Sequence, residues 1–185
     1  MSADPLPRVC RFRADASPES PSYSPLPDDG FCISLYVLLR SPRDGTGVVA
    51  GRLDPGADWP SIGAIPAERL ERLSKGWMLP SRHLRLFEDP DTAARSILSE
   101  QLGLSGIALR GPRIFSETYR REGTGRDPHW DLQLIYEGSW PMGRPLAAAP
   151  WRTLELLDLS TTPAESFVRS HADILALAGS PATGR

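Results

Sequence analysis

Ten residues, FCISLYVLLR (Phe31–Arg40), are nearly continuous in apolar and β-favouring side chains, which predicts a strand covered on both faces. A polar turn, SPRDGTG, separates it from a second apolar run, VVAGRL, so the two read as a hairpin. PAERLERLSK (66–75) starts with proline, sets Leu70 and Leu73 on one side and puts its charges outward, predicting a short surface helix. A longer helix is predicted from Asp89–Asp91, where Pro90 suits a first turn. Ala94, Leu98 and Leu102 form its buried stripe, with Ala93 and Ile97 along the edge. Positions 97, 100 and 101 would then share one side of that helix. Residues 107–110 and 113–119 read as two strands joined at Gly111-Pro112. REGTGRD reads as a loop, and HWDLQLIYEG as a long strand with Trp130, Leu132, Leu134 and Tyr136 on one face. The spacing of Thr162, Pro163 and Glu165 predicts a terminal helix carrying Phe167, Val168, Ile174, Leu175 and Leu177 inward and ending at Gly179.

Outside these elements the chain changes character. Residues 1–28 hold six prolines and five serines and predict an extended arm, with a short alternating patch at Val9–Arg13. Residues 29–179 read as one domain and 180–185 as a fraying tail. A length of 185 residues suits one domain with a substantial core. A net charge of −2 gives no general attraction to nucleic acid or to an anionic membrane, so neither is an expected partner. Lys75 is the single lysine among 21 basic residues, so the many arginines reflect composition before they reflect phosphate recognition. Cys10 and Cys32 are too few and too far apart for a disulfide framework or a zinc site, which points to a reducing cytoplasm.

The stretch Trp77–Leu104, WMLPSRHLRLFEDPDTAARSILSEQLGL, carries the specific chemistry. In spacing it resembles the signature of the Nudix hydrolase superfamily, G-x5-E-x7-R-E-U-x-E-E-x-G-U, where U is a bulky aliphatic residue. On that frame Arg82 stands at the leading glycine and Glu88 at the next glutamate. Ser96 and Ile97 stand at the Arg-Glu pair, and Gln101 at the second of two glutamates, while Leu98, Glu100, Gly103 and Leu104 fit. Trp77, Leu79 and Pro80 are similar to the superfamily's W-x-L-P-G-G entry, with Ser81 and Arg82 in place of both glycines. Ala93 and Ala94 stand at its usual small pair.

The resemblance implies a Nudix-like α/β/α sandwich with a mixed β-sheet. It also implies a helix whose carboxylates gather Mg²⁺ or Mn²⁺ against a diphosphate. Those cations take hard oxygen ligands, yet the helix offers Ile97, Glu100 and Gln101, so a weak metal site is expected. Glu88 and Glu100 are the catalytic candidates. Glu100 and Gln101, with a later loop acid, Glu117 or Glu122, are the metal candidates. Arg52, Trp77, Arg82 and Arg85 are the substrate-binding candidates. Direct phosphate contact by Arg82, His83 and Arg85 would substitute for the missing metal, the plainer alternative being an exposed basic loop. His129 and Asp131 read as an acid/base pair or as a partly exposed strand face, and His171 as a core-edge histidine. Three functions stay open. The first is a binder of a nucleoside diphosphate derivative that has lost hydrolysis. The second is a pyrophosphohydrolase using Glu88, Glu100 and a loop acid. The third is an interaction module using the arm and sheet edges, and homodimerisation is a further open partner question.

Overall fold

The computed structural model describes residues 31–42, 45–63, 65, 67–85, 87–119, 129–141, 150–168 and 171–179. The arm 1–28, the REGTGRD loop with Glu122, and the tail 180–185 lie outside the described residues.

Strand β1 (Phe31–Arg40) is central, as its apolar run predicts. Its neighbours are β2 (Gly47–Leu53), β3 (Ser81–His83) and β5 (His129–Ser139). β4 (Arg110–Tyr119) and β6 (Trp151–Asp158) form the outer positions in the order β4-β5-β1-β2-β6, with β3 also on β1. The β1–β5 pair is parallel and the other pairs are antiparallel, so the sheet is mixed.

Alternation along β1 sends Leu35, Val37 and Leu39 to one face. There they pack on helices α1 (Trp59–Ile62), α2 (Ala67–Leu73) and α3 (Pro90–Ser96), the last running on as a π-helical turn, Ile97–Gln101. Leu38, with Val48, Ala50 and Ile135, faces the other way onto Phe167 and helix α4 (His171–Leu177). Helices cover both faces of one mixed sheet. This is the expected α/β/α sandwich.

Three local expectations change. The two strands predicted around Gly111-Pro112 are one strand, β4, which passes that dipeptide through a register shift between Arg110 and Arg113. Ser81–His83 pairs with Tyr36, Leu35 and Ser34 and is therefore a strand, not a loop. Thr162 turns its hydroxyl to the Asp158 carbonyl at 2.7 Å, and the turn that follows has Pro163 at its N-cap with no side-chain capping bond. The capping-box spacing yields only a 3-10 turn, Ala164–Ser166. Phe167 and Val168 then stay extended because Trp77 takes their backbone: Trp77 donates to Ser166 O at 2.9 Å and Val168 donates to Trp77 O at 3.0 Å. Tertiary pairing overrides the local helix signal. A further element, α1, lies in a stretch for which no element was expected, and its start is set by Asp58, which accepts from Ser61 N, with proline in the first turn.

Gly51 shows how tightly β2, β6 and the Trp77–Met78 segment are joined. It exchanges two backbone hydrogen bonds with Met78, at 2.9 and 2.8 Å. A Cβ there would lie 2.4 Å from Trp151 Cε3 and 2.9 Å from the Thr153 carbonyl. Gly51→Ala is therefore expected to cost about 1–3 kcal/mol by overpacking, read as a lower midpoint in chemical denaturation.

Candidate active site

Asp89 starts the α3 helix by accepting from the Thr92 N–H and hydroxyl at 2.9 and 3.1 Å, with Pro90 in the first turn. Those bonds to the charged form hold the Asp89 carboxyl below its usual range. After Ser96 the helix widens into the π turn. The wider turn separates the three positions expected on one side: Ile97 and Gln101 are fully buried, whereas Glu100 is exposed.

Gln101 is committed to the scaffold. Its Oε1 accepts the Ser81 N–H at 3.2 Å, and its Nε2 donates to the Ser81 carbonyl at 2.9 Å and the Ile62 carbonyl at 3.5 Å. One amide thereby satisfies the free backbone edge of β3, a task that needs a donor and an acceptor on one side chain. Its own carbonyl accepts from Trp151 Nε1 at 2.8 Å.

Arg82 occupies the space beside Gln101's helix in a manner the sequence pattern does not reveal. Its side chain is only 2% exposed. Nη1 donates to Ser96 Oγ at 2.8 Å and Nη2 donates to Glu88 Oε1. The guanidinium thus comes from the motif's glycine position and reaches the serine at the motif's arginine position. Glu88 also accepts the Arg85 N–H through Oε2 at 3.0 Å. Burial pushes the Glu88 carboxyl up, but that N–H, the Arg82 guanidinium and the Arg85 charge outweigh it and hold the group below its usual range. The Arg85 guanidinium donates to the Ser61 carbonyl. Arg82 and Glu88 form an internal ion pair, which corrects the expectation of an exposed basic loop.

The other candidates lie elsewhere. Arg52 stacks over the Trp77 ring at 4.7 Å and donates to the Lys75 carbonyl at 3.3 Å, and Trp77 packs with the α4-side cluster. Glu117 accepts from Gln133 Nε2 at 2.8 Å. It is on the α4 face of the sheet with Phe115, opposite to the face on which α3 packs, and no described contact joins it to Glu88 or Glu100.

Sequence reasoning missed a polar cluster on that same face. Asp131, expected to be partly exposed, is buried and accepts from Ser34 Oγ at 3.0 Å, and Ser34 Oγ also meets His83 Nδ1 at 3.3 Å. The signal was present in the parallel register of β1 on β5 and in the β3 pairing, neither of which local alternation specifies. Gln133 next to it is buried, and its Oε1 has no hydrogen-bond partner. A small groove beside β3 is lined by Ser34, Tyr36, Ser81, Arg82 and His83 together with Gly63 and Ile65. His171, as expected, serves the core: its Nδ1 accepts the Leu79 N–H at 2.9 Å and its ring meets Tyr36 edge-on.

The donors at the motif positions do not suit Mg²⁺ or Mn²⁺. Those ions favour carboxylate, carbonyl or water oxygens. Ile97 offers none, Gln101 has spent its oxygen on Ser81, and Glu88 is held by Arg82 and Arg85. Glu100 alone is exposed and carries a carboxylate there. Among the described residues no group of three or more His, Cys, Asp or Glu is placed to hold a metal ion.

The overall arrangement of sheet and helices is similar to that of solved structures. Escherichia coli dihydroneopterin triphosphate pyrophosphohydrolase is similar over 82% of this chain and 95% of its own, with TM-score 0.54 and 11% identity. The Nudix domain of Shewanella oneidensis NrtR, solved with ADP ribose, covers 90% of this chain and 93% of its own, with TM-score 0.53 and 12% identity. This is the Nudix fold. A third Nudix-fold neighbour, the Nudix hydrolase RenU of Mycobacterium smegmatis, is similar over 86% of this chain and 97% of its own, with TM-score 0.50 and 15% identity. No protein-family model and no curated protein matches the sequence. Among the described residues no helix is long and apolar enough to cross a membrane.

Proposed function

We propose that this Nudix-fold chain binds a nucleoside diphosphate derivative, such as ADP-ribose or a nucleotide sugar, and does not carry out metal-dependent pyrophosphate hydrolysis. The observation that carries this is the fate of the motif positions: Ile97 and Gln101 are built into the core and Arg82 is buried against Glu88 and Ser96. Removing carboxylates from a metal site removes both charge stabilisation and water activation, so turnover is lost while the sheet that frames a ligand persists.

Binding is supported by the polar surface beside β3. The groove there is walled by Ser34, Ser81, Arg82 and His83, side chains able to hydrogen-bond a polar ligand. The Nudix domain of NrtR, solved with ADP ribose, makes that ligand the first to try.

Titration calorimetry with ADP-ribose in metal-free buffer is the test. The expected result is saturable binding that is unchanged by added Mg²⁺ and weakened about tenfold in His83→Ala, at the groove wall. Absence of binding by ADP-ribose, dinucleotides, nucleotide sugars and CoA alike would reject the proposal.

A further inference from the structure

A second cavity, of about 120 Å³, lies on the other flank of α3 from the Arg82–Ser96 contact, between that helix and the approach to β4. Its walls are Asp91, Arg95, Ile107, Leu109, Gly111 and Tyr136. Asp91 and Arg95 are four residues apart on the helix, a spacing at which opposite charges ordinarily pair. Here Asp91 instead accepts the Tyr136 hydroxyl at 2.6 Å. Arg95 makes no hydrogen bond or ion pair to any described residue. Ile107 and Leu109 are half-buried and supply an apolar wall, and Tyr136 is fixed in the core.

These features restrict the chemistry of an occupant. A simple anion drawn to Arg95 meets the Asp91 carboxylate beside it, and a simple cation drawn to Asp91 meets Arg95. A molecule bearing both charges close together meets neither repulsion. Its carboxylate suits the guanidinium fork, and its ammonium suits the acceptor positions that Tyr136 leaves free on Asp91. A short hydrocarbon body suits Ile107 and Leu109. A volume of about 120 Å³ suits a small body. The geometry points to a binding site for a free α-amino acid with a small aliphatic or cyclic side chain, held between Arg95 and Asp91. It is separate from the proposed nucleotide site and stands whether or not that proposal holds.

The test is binding of L-valine, L-leucine and L-proline to the full chain, followed by amide NMR shifts, alongside isobutylamine and isovalerate as analogues carrying one charge each. In wild type the expected result is saturable amino-acid binding, at least about tenfold tighter than either analogue. Arg95→Gln is expected to remove the preference over the amine, and Asp91→Asn the preference over the acid. Both positions are exposed and asparagine can still accept from Tyr136, so both variants should fold, with at most a small drop in the unfolding midpoint. No saturable shift with any of the three amino acids at millimolar concentration would overturn the inference. So would binding that both substitutions leave unchanged, or shifts confined to residues remote from this cavity.

Discussion

Ile97→Glu is expected to destabilise the protein by more than about 4 kcal/mol and to restore no hydrolytic activity. Position 97 carries a glutamate in the motif's frame, so the substitution looks like a repair on paper. In the fold it places a carboxylate where exposure is zero, among Ala93, Ala94 and Leu98, with no cation described beside it. A side chain there either ionises at a large solvation cost or stays protonated and overpacks the helix–sheet contact. Gln101→Glu compounds the damage, because the carboxylate has no N–H for the Ser81 and Ile62 carbonyls that Nε2 now serves. Denaturant titration reads the stability loss. A double variant that folds with wild-type stability and cleaves a nucleotide would show that the positions are still open to metal.

Glu88→Ala is expected to cost about 3 kcal/mol at neutral pH, since it leaves the Arg82 guanidinium buried without its counter-charge. The figure is toward the low end for a broken buried pair because Glu88 keeps some contact with water, at 19% side-chain exposure. Its pH dependence has a definite sign. The carboxyl is depressed below its ordinary value of 4.5, so in wild type its contribution is fully present above that pH and disappears as pH falls through the lower folded value. The gap between wild type and Glu88→Ala should therefore be widest near neutrality and narrow in acid. A gap that stays constant below pH 4.5 would show that the ionised Glu88 carboxylate, with its Arg85 N–H and Arg82 partners, contributes nothing to folding.

Much of the fold is legible because its determinants are local. The nearly continuous apolar run of Phe31–Arg40 marks a strand buried on both faces, and the Ala94–Leu98–Leu102 stripe marks the helix that covers one of them. The motif spacing of Trp77–Leu104 ties both to the Nudix fold. What was not legible depends on distant partners. β6 alternates irregularly, since its register on β2 shifts between Arg52 and Leu53, so Trp151–Asp158 lacks a clean period of two. The Phe167 segment stays extended because of Trp77, nearly ninety positions earlier in the chain. At the site, replacement of glutamates could be read directly, whereas the use of Arg82 and Gln101 could not. An arginine at a glycine position signals lost backbone freedom. Only the fold shows that its guanidinium crosses to Ser96 and Glu88. His83 and Asp131 stand 49 and 97 positions after Ser34, and nothing in their neighbours announces that the three meet.

Conversion of the motif from chemistry to scaffold is the central claim, and phosphate release is its most direct measure. The assay couples release to a phosphatase across dNTPs, ADP-ribose, dinucleotides, nucleotide sugars and CoA, with Mg²⁺ or Mn²⁺ present. The expected result is no release above the protein-free background for any substrate. Metal-dependent release that collapses in Glu100→Gln, at an exposed position whose loss leaves folding intact, would contradict the claim and show that one helix carboxylate still gathers a working metal site.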